Sequence, residues 1–443
     1  MSEELRRMCQ RLRPLIGDGA DALWTQYSLA ETPVQKMEAA NLIQLMGLRH
    51  LGSGASDAKI WLTPPSASFG DLYLGEALYP GRPPSPLRLK RKDLTRHMGV
   101  FATTGSGKTN IAYHLLIQLS KQGVPWLAID WKRSYRNLKQ HVELRNLKVY
   151  TVGRYASPLA WNPLRPPPGV HPHTWIQILA EILEKTHVSG QGVADVLIEH
   201  MAREFELREK DNLDEAARSW PNLFDVRGRV ERARYSGRQA LWRDSALRIL
   251  RTFTFGPAAA SFNSRQPIHL ETLLEQPVVL ELDQELPRNV RTFFSEAILR
   301  WIHLYRLGQG ETSKLRHVLI LEEAHNIFPR VTEAGLQGGL ENLYREIRSF
   351  GQGLISITQH PSLLPIYVLG NTHSLIFLSL THEADIIAAR QALFLPRGSD
   401  QYLDRLKRGE GIIKIKERTG PCHVRFPHIK VKAGAIRDED LTA

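Results

Sequence analysis

Residues 102–109 read ATTGSGKT, the spacing of a loop that wraps the phosphates of a nucleotide. Gly105 and Gly107 let backbone N–H groups turn inward around phosphate oxygens, and the helix amino terminus that follows adds partial positive charge. Lys108 is placed to reach the β- and γ-phosphates and the Thr109 hydroxyl to ligand Mg²⁺. The candidate nucleotide contacts are Thr104, Gly105, Ser106, Gly107, Lys108, Thr109 and Asn110. Ala102 stands where the pattern has its first glycine. The context is otherwise complete: an apolar run (HMGVFA) enters the loop, and Ile111, Leu115, Leu116 and Leu119 leave it at helical spacing.

The acidic partners of such a loop lie far downstream. Arg316 to His325 (RHVLILEEAH) runs four apolar residues into two carboxylates, the profile of a buried strand ending at a working edge. There Glu322 would hold the hydration shell of Mg²⁺, and Glu323 would polarise the attacking water as general base. Asn342 to Gln359 carries Arg345 and Arg348 on a basic helix, then passes through Gly351 and Gly353 into a strand. That strand ends at Gln359, where a γ-phosphate sensor belongs, and the arginines before it could reach a neighbouring subunit's nucleotide.

These residues need a sheet to position them. From about residue 97 short apolar runs alternate with helical ones, which predicts an α/β domain with a mostly parallel central sheet. The expected strands are Met98–Ala102, Trp126–Asp130, Lys148–Val152, Val278–Leu282, Val318–Glu322, Leu354–Thr358 and Ser374–Leu380. A terminal hairpin is expected at Gly411–Lys416 and Cys422–Phe426. Only helical patterns occur at about 172–256, which reads as an insertion in the sheet domain. Residues 1 to about 50 read as helices, with stripes Leu5, Met8, Leu12, Leu15 and Val34, Met37, Asn41, Leu42, Leu45, Met46. Gly52–Pro86 reads as a Pro- and Gly-rich linker with one strand-like piece, Leu72–Leu78. The domains expected are therefore 1–86, helical region and linker, and 87–443, the ATPase domain.

A net charge of +12 and a pI of 9.7 favour a polyanionic partner, nucleic acid before membrane. Eight arginines fall between Arg227 and Arg251 against the acids Glu231 and Asp244, and Lys132, Arg133, Arg136 and Lys139 form a second group. Both can track duplex phosphates without reading bases. Cys9 and Cys422 lie far apart with no metal spacing, which argues against a disulfide framework or structural zinc. No apolar run approaches the roughly 18–20 residues that span a bilayer, and no signal-peptide core is visible, so a soluble cytoplasmic chain is expected.

RHMGVFATTGSGKTN (Arg96–Asn110), LEEAHNIFP (Leu321–Pro329) and REIRSFGQGLISITQHP (Arg345–Pro361) together resemble the HerA family, ring ATPases of the HerA–FtsK branch of RecA-like P-loop proteins. WNPL (Trp161–Leu164), Asn371–Thr372 and GEGII (Gly409–Ile413) echo it, and the match spans roughly residues 87–426. The resemblance implies a RecA-like fold and a hexameric ring, with ATP and Mg²⁺ between subunits and double-stranded DNA in the channel. It also implies that Gln359 acts as sensor and that Arg96, with Arg345 or Arg348, is supplied in trans. Archaeal repair-type members begin with a β-barrel; residues 1–86 here look helical and Pro-rich. That departure points to the bacterial members that work with a separate nuclease or other effector, often in antiphage defence. Two other readings stand beside the motor: an ATP-binding oligomeric scaffold for an effector, and a conjugation ATPase of the VirB4/TraG type.

Overall fold

The computed structural model describes residues 2–50, 69–79, 82–211, 220–330, 338–395, 400–418 and 420–441. The chain divides into two compact units, Met1–Leu62 and Thr63–Ala443.

The first unit is three helices, α1 (Ser2–Ile16), α2 (Asp18–Leu29) and α3 (Pro33–His50). Leu5, Cys9, Tyr27, Ala39, Ala40 and Ile43 form its core, with Met8, Leu23 and Trp24 packed against them. Leu5 and Leu12 are buried as the first stripe requires; the side chain of Leu15 lies outside the described residues. The second stripe is not the buried one. Val34, Met37 and Leu45 are each more than 60% exposed, and α3 turns Ala39, Ala40 and Ile43 inward instead. Close approach decides this: a Cβ added at Gly47 would fall 2.4 Å from Met8 Sδ. A helix packed that tightly presents its small residues to its neighbours and leaves the larger ones outside.

The second unit is built on an 11-stranded sheet in the order β2-β1-β11-β10-β9-β3-β8-β7-β4-β6-β5. The strands are β1 (Leu72–Tyr79), β2 (Arg82–Leu89), β3 (Met98–Phe101), β4 (Trp126–Asp130), β5 (Lys148–Val152), β6 (Val278–Leu282), β7 (Thr312–Glu322), β8 (Phe350–Thr358), β9 (Ser374–Phe377), β10 (Glu410–Ile415) and β11 (Cys422–Arg425). From β9 to β5 every pairing is parallel; from β9 outward to β2 every pairing is antiparallel. Of the parallel strands, β4, β6 and β8 are buried along their whole length, as strands covered on both faces must be.

All the expected strands form. The expected linker does not hold beyond residue 71: β1 and β2 pair as a hairpin that joins the sheet through β11, while residues 52–68 lie outside those described. Pro83, Pro84 and Pro86 made β2 look like a loop. They are tolerated because β2 is the sheet's edge, where a strand can lack ladder donors on its outer side.

The phosphate loop leads into α4 (Lys108–Lys121). The insertion comprises α5 (Pro172–His187), α6 (Gln191–Asp211), α7 (Leu223–Arg232) and α8 (Arg238–Thr254), followed by short α9 (Gly256–Phe262) and α10 (Leu270–Leu273). Long α11 (Arg288–Gly308) returns the chain to the sheet, and α12 (Gly338–Glu346) precedes β8.

Candidate active site

Because β3, β8, β7 and β4 are parallel neighbours, their carboxyl ends lie along one edge. Phe101 pairs with Thr358, Glu322 with Ile357, and Ile129 with Leu321, so the phosphate loop, Gln359, Glu323 and Asp130 emerge side by side. The loop needs its glycines: Gly105 has φ 83° and Gly107 φ 117°, both left-handed. Thr103 N–H donates to Ser379 O (3.0 Å), and Gly409 N–H donates to Ser106 O (3.2 Å). The GEGII turn thus supports the loop from below, which gives that late motif its physical role.

Lys108 is buried, and its ammonium donates to Ala102 O (2.5 Å) and Thr103 O (2.9 Å). Burial, with the charge of Lys132 added, brings the Lys108 ammonium down to about 8. Thr109 is half-buried at the start of α4. Asn110 is turned elsewhere: its amide donates to Pro427 O (2.7 Å) and its side-chain oxygen accepts from Ile429 N (2.8 Å). The Asn110 side chain thereby ties down the C-terminal segment.

The acidic edge is a connected network. Thr104 Oγ1 donates to Gln359 Oε1 (2.5 Å), and Gln359 Nε2 donates to Glu323 Oε1 (2.7 Å). Lys132 forms an ion pair with the same Glu323 oxygen. His325, held by Thr358 Oγ1 (2.8 Å), stands 3.5 Å from the other oxygen. Glu323 sits at φ 49°, ψ 48°, a left-handed conformation rare for a residue with a side chain and concentrated at functional sites. Burial would raise its carboxyl, but hydrogen bonds from Lys132 and Gln359 and the Lys132 charge hold it below its ordinary value. Glu322 behaves oppositely. It is buried against Asp130, and burial followed by the Asp130 charge pushes its carboxyl well up. Burial and neighbouring charge thus shift two adjacent carboxyls in opposite directions.

Sequence reasoning overlooked Asp130, Lys132, Thr358 and Ser379. Asp130 had a usable signal, because WLAID ends an apolar run on an acid as VLILE does. Lys132 had none beyond its place in a basic group. The rest of that group is partnered: Arg133 pairs with Asp283, Arg136 with Glu281 and Asp438, and Lys139 Nζ donates to Asp440 O (3.3 Å). Partnered in this way, Arg133, Arg136 and Lys139 are not free to track phosphates, whereas Lys132 stays 40% exposed.

The other expected arginines sit on the opposite edge. A helical turn (Arg91–Arg96) enters the amino end of β3, another (Ile347–Ser349) enters β8, and antiparallel β10 ends beside them. They enclose a cleft of about 750 Å³ whose lining includes Arg88, Lys92, Arg96, Arg348, Glu417 and Arg418. Arg96 is held by Asp93 Oδ1 (2.7 Å) and Glu417 Oε1 (2.5 Å), and Glu417 is braced by His373 (2.5 Å). Asp93, His373 and Glu417 cluster within 4.8 Å, but Arg96 already supplies the cation between the two acids. His97 is structural: it is buried, burial lowers it to about 4, and it bridges Leu354 N (3.2 Å) and Tyr344 O (2.9 Å). Arg96 and Arg348 are therefore brought together, whereas Arg345 projects from α12 paired with Glu341.

The fold and this edge define a P-loop NTPase with a mostly parallel α/β core. Its sequence is HerA-like: the model for the central domain of the helicase HerA matches residues 72–213. The probable helicase MJ1565 of Methanocaldococcus jannaschii is 23% identical over 338 residues, 76% of this chain. That alignment spans 62% of the curated relative's length. In structure the chain is similar to VirB4 of Thermoanaerobacter pseudethanolicus, with TM-score 0.62, 16% identity, and coverage of 83% of this chain and 99% of that one. The plasmid coupling protein TrwB, solved with a non-hydrolysable GTP analogue, gives TM-score 0.58 at 13% identity, covering 86% and 99%. These likenesses establish the shared fold. No helix among the described residues is long and apolar enough to cross a membrane.

Proposed function

We propose that this chain is an ATP-hydrolysing, ring-forming DNA translocase or helicase of HerA type. The observation that carries the reading is the division of catalytic groups between two edges of one sheet. Lys108, Glu323 and Gln359 lie at the carboxyl edge, while Arg96 and Arg348 share a basic cleft at the amino edge. At about 3.3 Å per residue, β3 alone separates Arg96 from the loop by roughly 15 Å. An arginine so placed serves the nucleotide of a neighbouring subunit, which a head-to-tail ring supplies. Lys108 would bind the β- and γ-phosphates, Glu323 would orient and deprotonate water, and Gln359 would link the γ-phosphate position to the base.

Mg²⁺ fits the residues present. Glu322 Oε2 is a buried oxygen with no hydrogen-bond partner among the described residues, and it stands beside a second acid, Asp130. Thr109 and the hydration shell held by Glu322 would carry the ion, which neutralises phosphate charge when bound. The similar fold of TrwB has been solved with ADP and Mg²⁺.

For DNA the supporting surface is the insertion. Arg227, Arg229 and Arg243 are paired with Glu231, Glu204 and Asp244. Arg232, Arg234, Arg238, Arg248 and Arg251 are exposed, with no ion-pair partner among the described residues. The three helices of the amino-terminal unit offer a surface for a separate nuclease or other effector in the cytoplasm, as in antiphage defence.

The reading is tested by ATP turnover with and without duplex DNA. Turnover should rise on adding DNA, and binding should weaken steeply with salt as condensed counterions are displaced. Arg234→Glu with Arg238→Glu should flatten that salt slope by roughly two phosphate contacts and weaken binding at least about tenfold. An unchanged slope removes these arginines from the DNA interface, and turnover indifferent to DNA contradicts the motor.

Lys108 adds a pH signature. Phosphate charge favours the ammonium, so bound ATP raises Lys108 above its value of about 8. Binding should therefore take up a proton between about pH 8 and 9.5, with affinity falling as pH rises through that window. Calorimetry in buffers of different ionisation enthalpy reads the uptake directly; none at pH 8.5 would contradict Lys108 as the phosphate ligand.

A further inference from the structure

Glu323, the group proposed to act on water, is restrained in the structure by a lysine. Its Oε1 accepts from Gln359 (2.7 Å) and is ion-paired with Lys132. A carboxylate holding an ammonium is a poor proton acceptor, because the proton it must take competes with a charge already there. Lys132 is thus positioned to decide whether Glu323 is free to work.

Its setting differs from that of its neighbours. Arg136 is buried with Glu281, and Arg133 is largely covered beside Asp283, whose carboxylate also pairs with Arg154. The Lys132 side chain is 40% exposed while its Glu323 partner is 10% exposed. The ion pair therefore has a closed end at the catalytic edge and an open end that an external anion can reach. Lys132 lies two residues after Asp130 in the turn beyond β4, and its own backbone N–H is fixed by Asp130 Oδ1 (2.8 Å). The backbone is anchored and the four-carbon side chain is free to swing, the conditions for a movable clamp on a fixed mount.

We infer that Lys132 is a positioning residue that restrains Glu323 until a phosphate of duplex DNA takes its ammonium, so that DNA binding releases the base. This rests on the hydrolytic reading of the site above and names the contact through which DNA would govern it. Release breaks the Lys132–Glu323 ion pair, leaves the Gln359 hydrogen bond in place, and frees a carboxylate oxygen for water.

The test is steady-state ATP turnover of the full chain with and without a duplex oligonucleotide, for wild type, Lys132→Ala and Lys132→Met. Removing the clamp should raise DNA-independent turnover by roughly tenfold, the worth of one charge-assisted hydrogen bond, and bring the ratio of DNA-stimulated to basal turnover close to one. Lys132→Met retains the apolar stem, so agreement of the two variants separates loss of charge from loss of packing. A merely structural lysine would lower both rates together and keep their ratio. If wild type is stimulated by DNA while both variants keep wild-type or lower basal turnover, the clamp is overturned and the hydrolytic reading survives. If wild type does not hydrolyse ATP under either condition, both fall.

Discussion

Glu323→Gln should reduce ATP turnover by about a thousandfold while leaving ATP affinity within about threefold of wild type. The substitution preserves shape and an oxygen able to accept from Gln359 Nε2, so the link from Thr104 through Gln359 can persist. What it removes is the carboxylate itself, the group that would accept a proton from water. Glu322 is not placed to substitute, since it is buried against Asp130 while Gln359 and Lys132 reach Glu323. Turnover measured against a fluorescent-nucleotide titration separates the two quantities. A loss smaller than about tenfold would remove Glu323 as the base.

Arg96→Ala should cost at least about a hundredfold in turnover, the lower end of what a transition-state arginine supplied in trans contributes. The nucleotide contacts of the phosphate loop lie on the far edge of the sheet and should bind ATP as before. Arg96 also neutralises Asp93 and Glu417, so alanine carries a folding cost that could be mistaken for a catalytic one. Arg96→Lys resolves this. It keeps a positive charge between the two acids but loses the planar fork that spans phosphate oxygens, and it should remain nearly as slow as alanine while melting close to wild type. Recovery of turnover by lysine would assign Arg96 to structure alone.

Much of this was legible because parallel sheets write clear signals. Strands such as WLAID and VLILE are buried on both faces, so they are apolar until the acid that marks their end. The phosphate loop was legible because only glycine tolerates the φ of 117° at Gly107. Other features depend on contacts that sequence order does not display. The β1–β2 hairpin was hidden by three prolines that an edge strand alone can accommodate. In α3 the larger apolar residues drew attention, yet Ala39, Ala40 and Gly47 carry the contact, because close helix packing selects for small side chains. The group around Lys132 reads as four free cations in a row. Its true character appears only when Glu281, Asp283, Glu323 and Asp438 are brought to it from distant parts of the chain.

The central claim is that a working site is assembled from two copies of this chain, and mixing tests it most directly. Lys108→Ala and Arg96→Ala proteins, each inactive alone, are combined in equal amounts and assayed for ATP turnover with duplex DNA. At a head-to-tail interface with random pairing, roughly a quarter of the sites join an intact phosphate loop to an intact arginine, so turnover should recover toward that fraction of wild type. A mixture that stays as inactive as its components, although the two variants are shown to assemble together, would contradict a site shared between subunits.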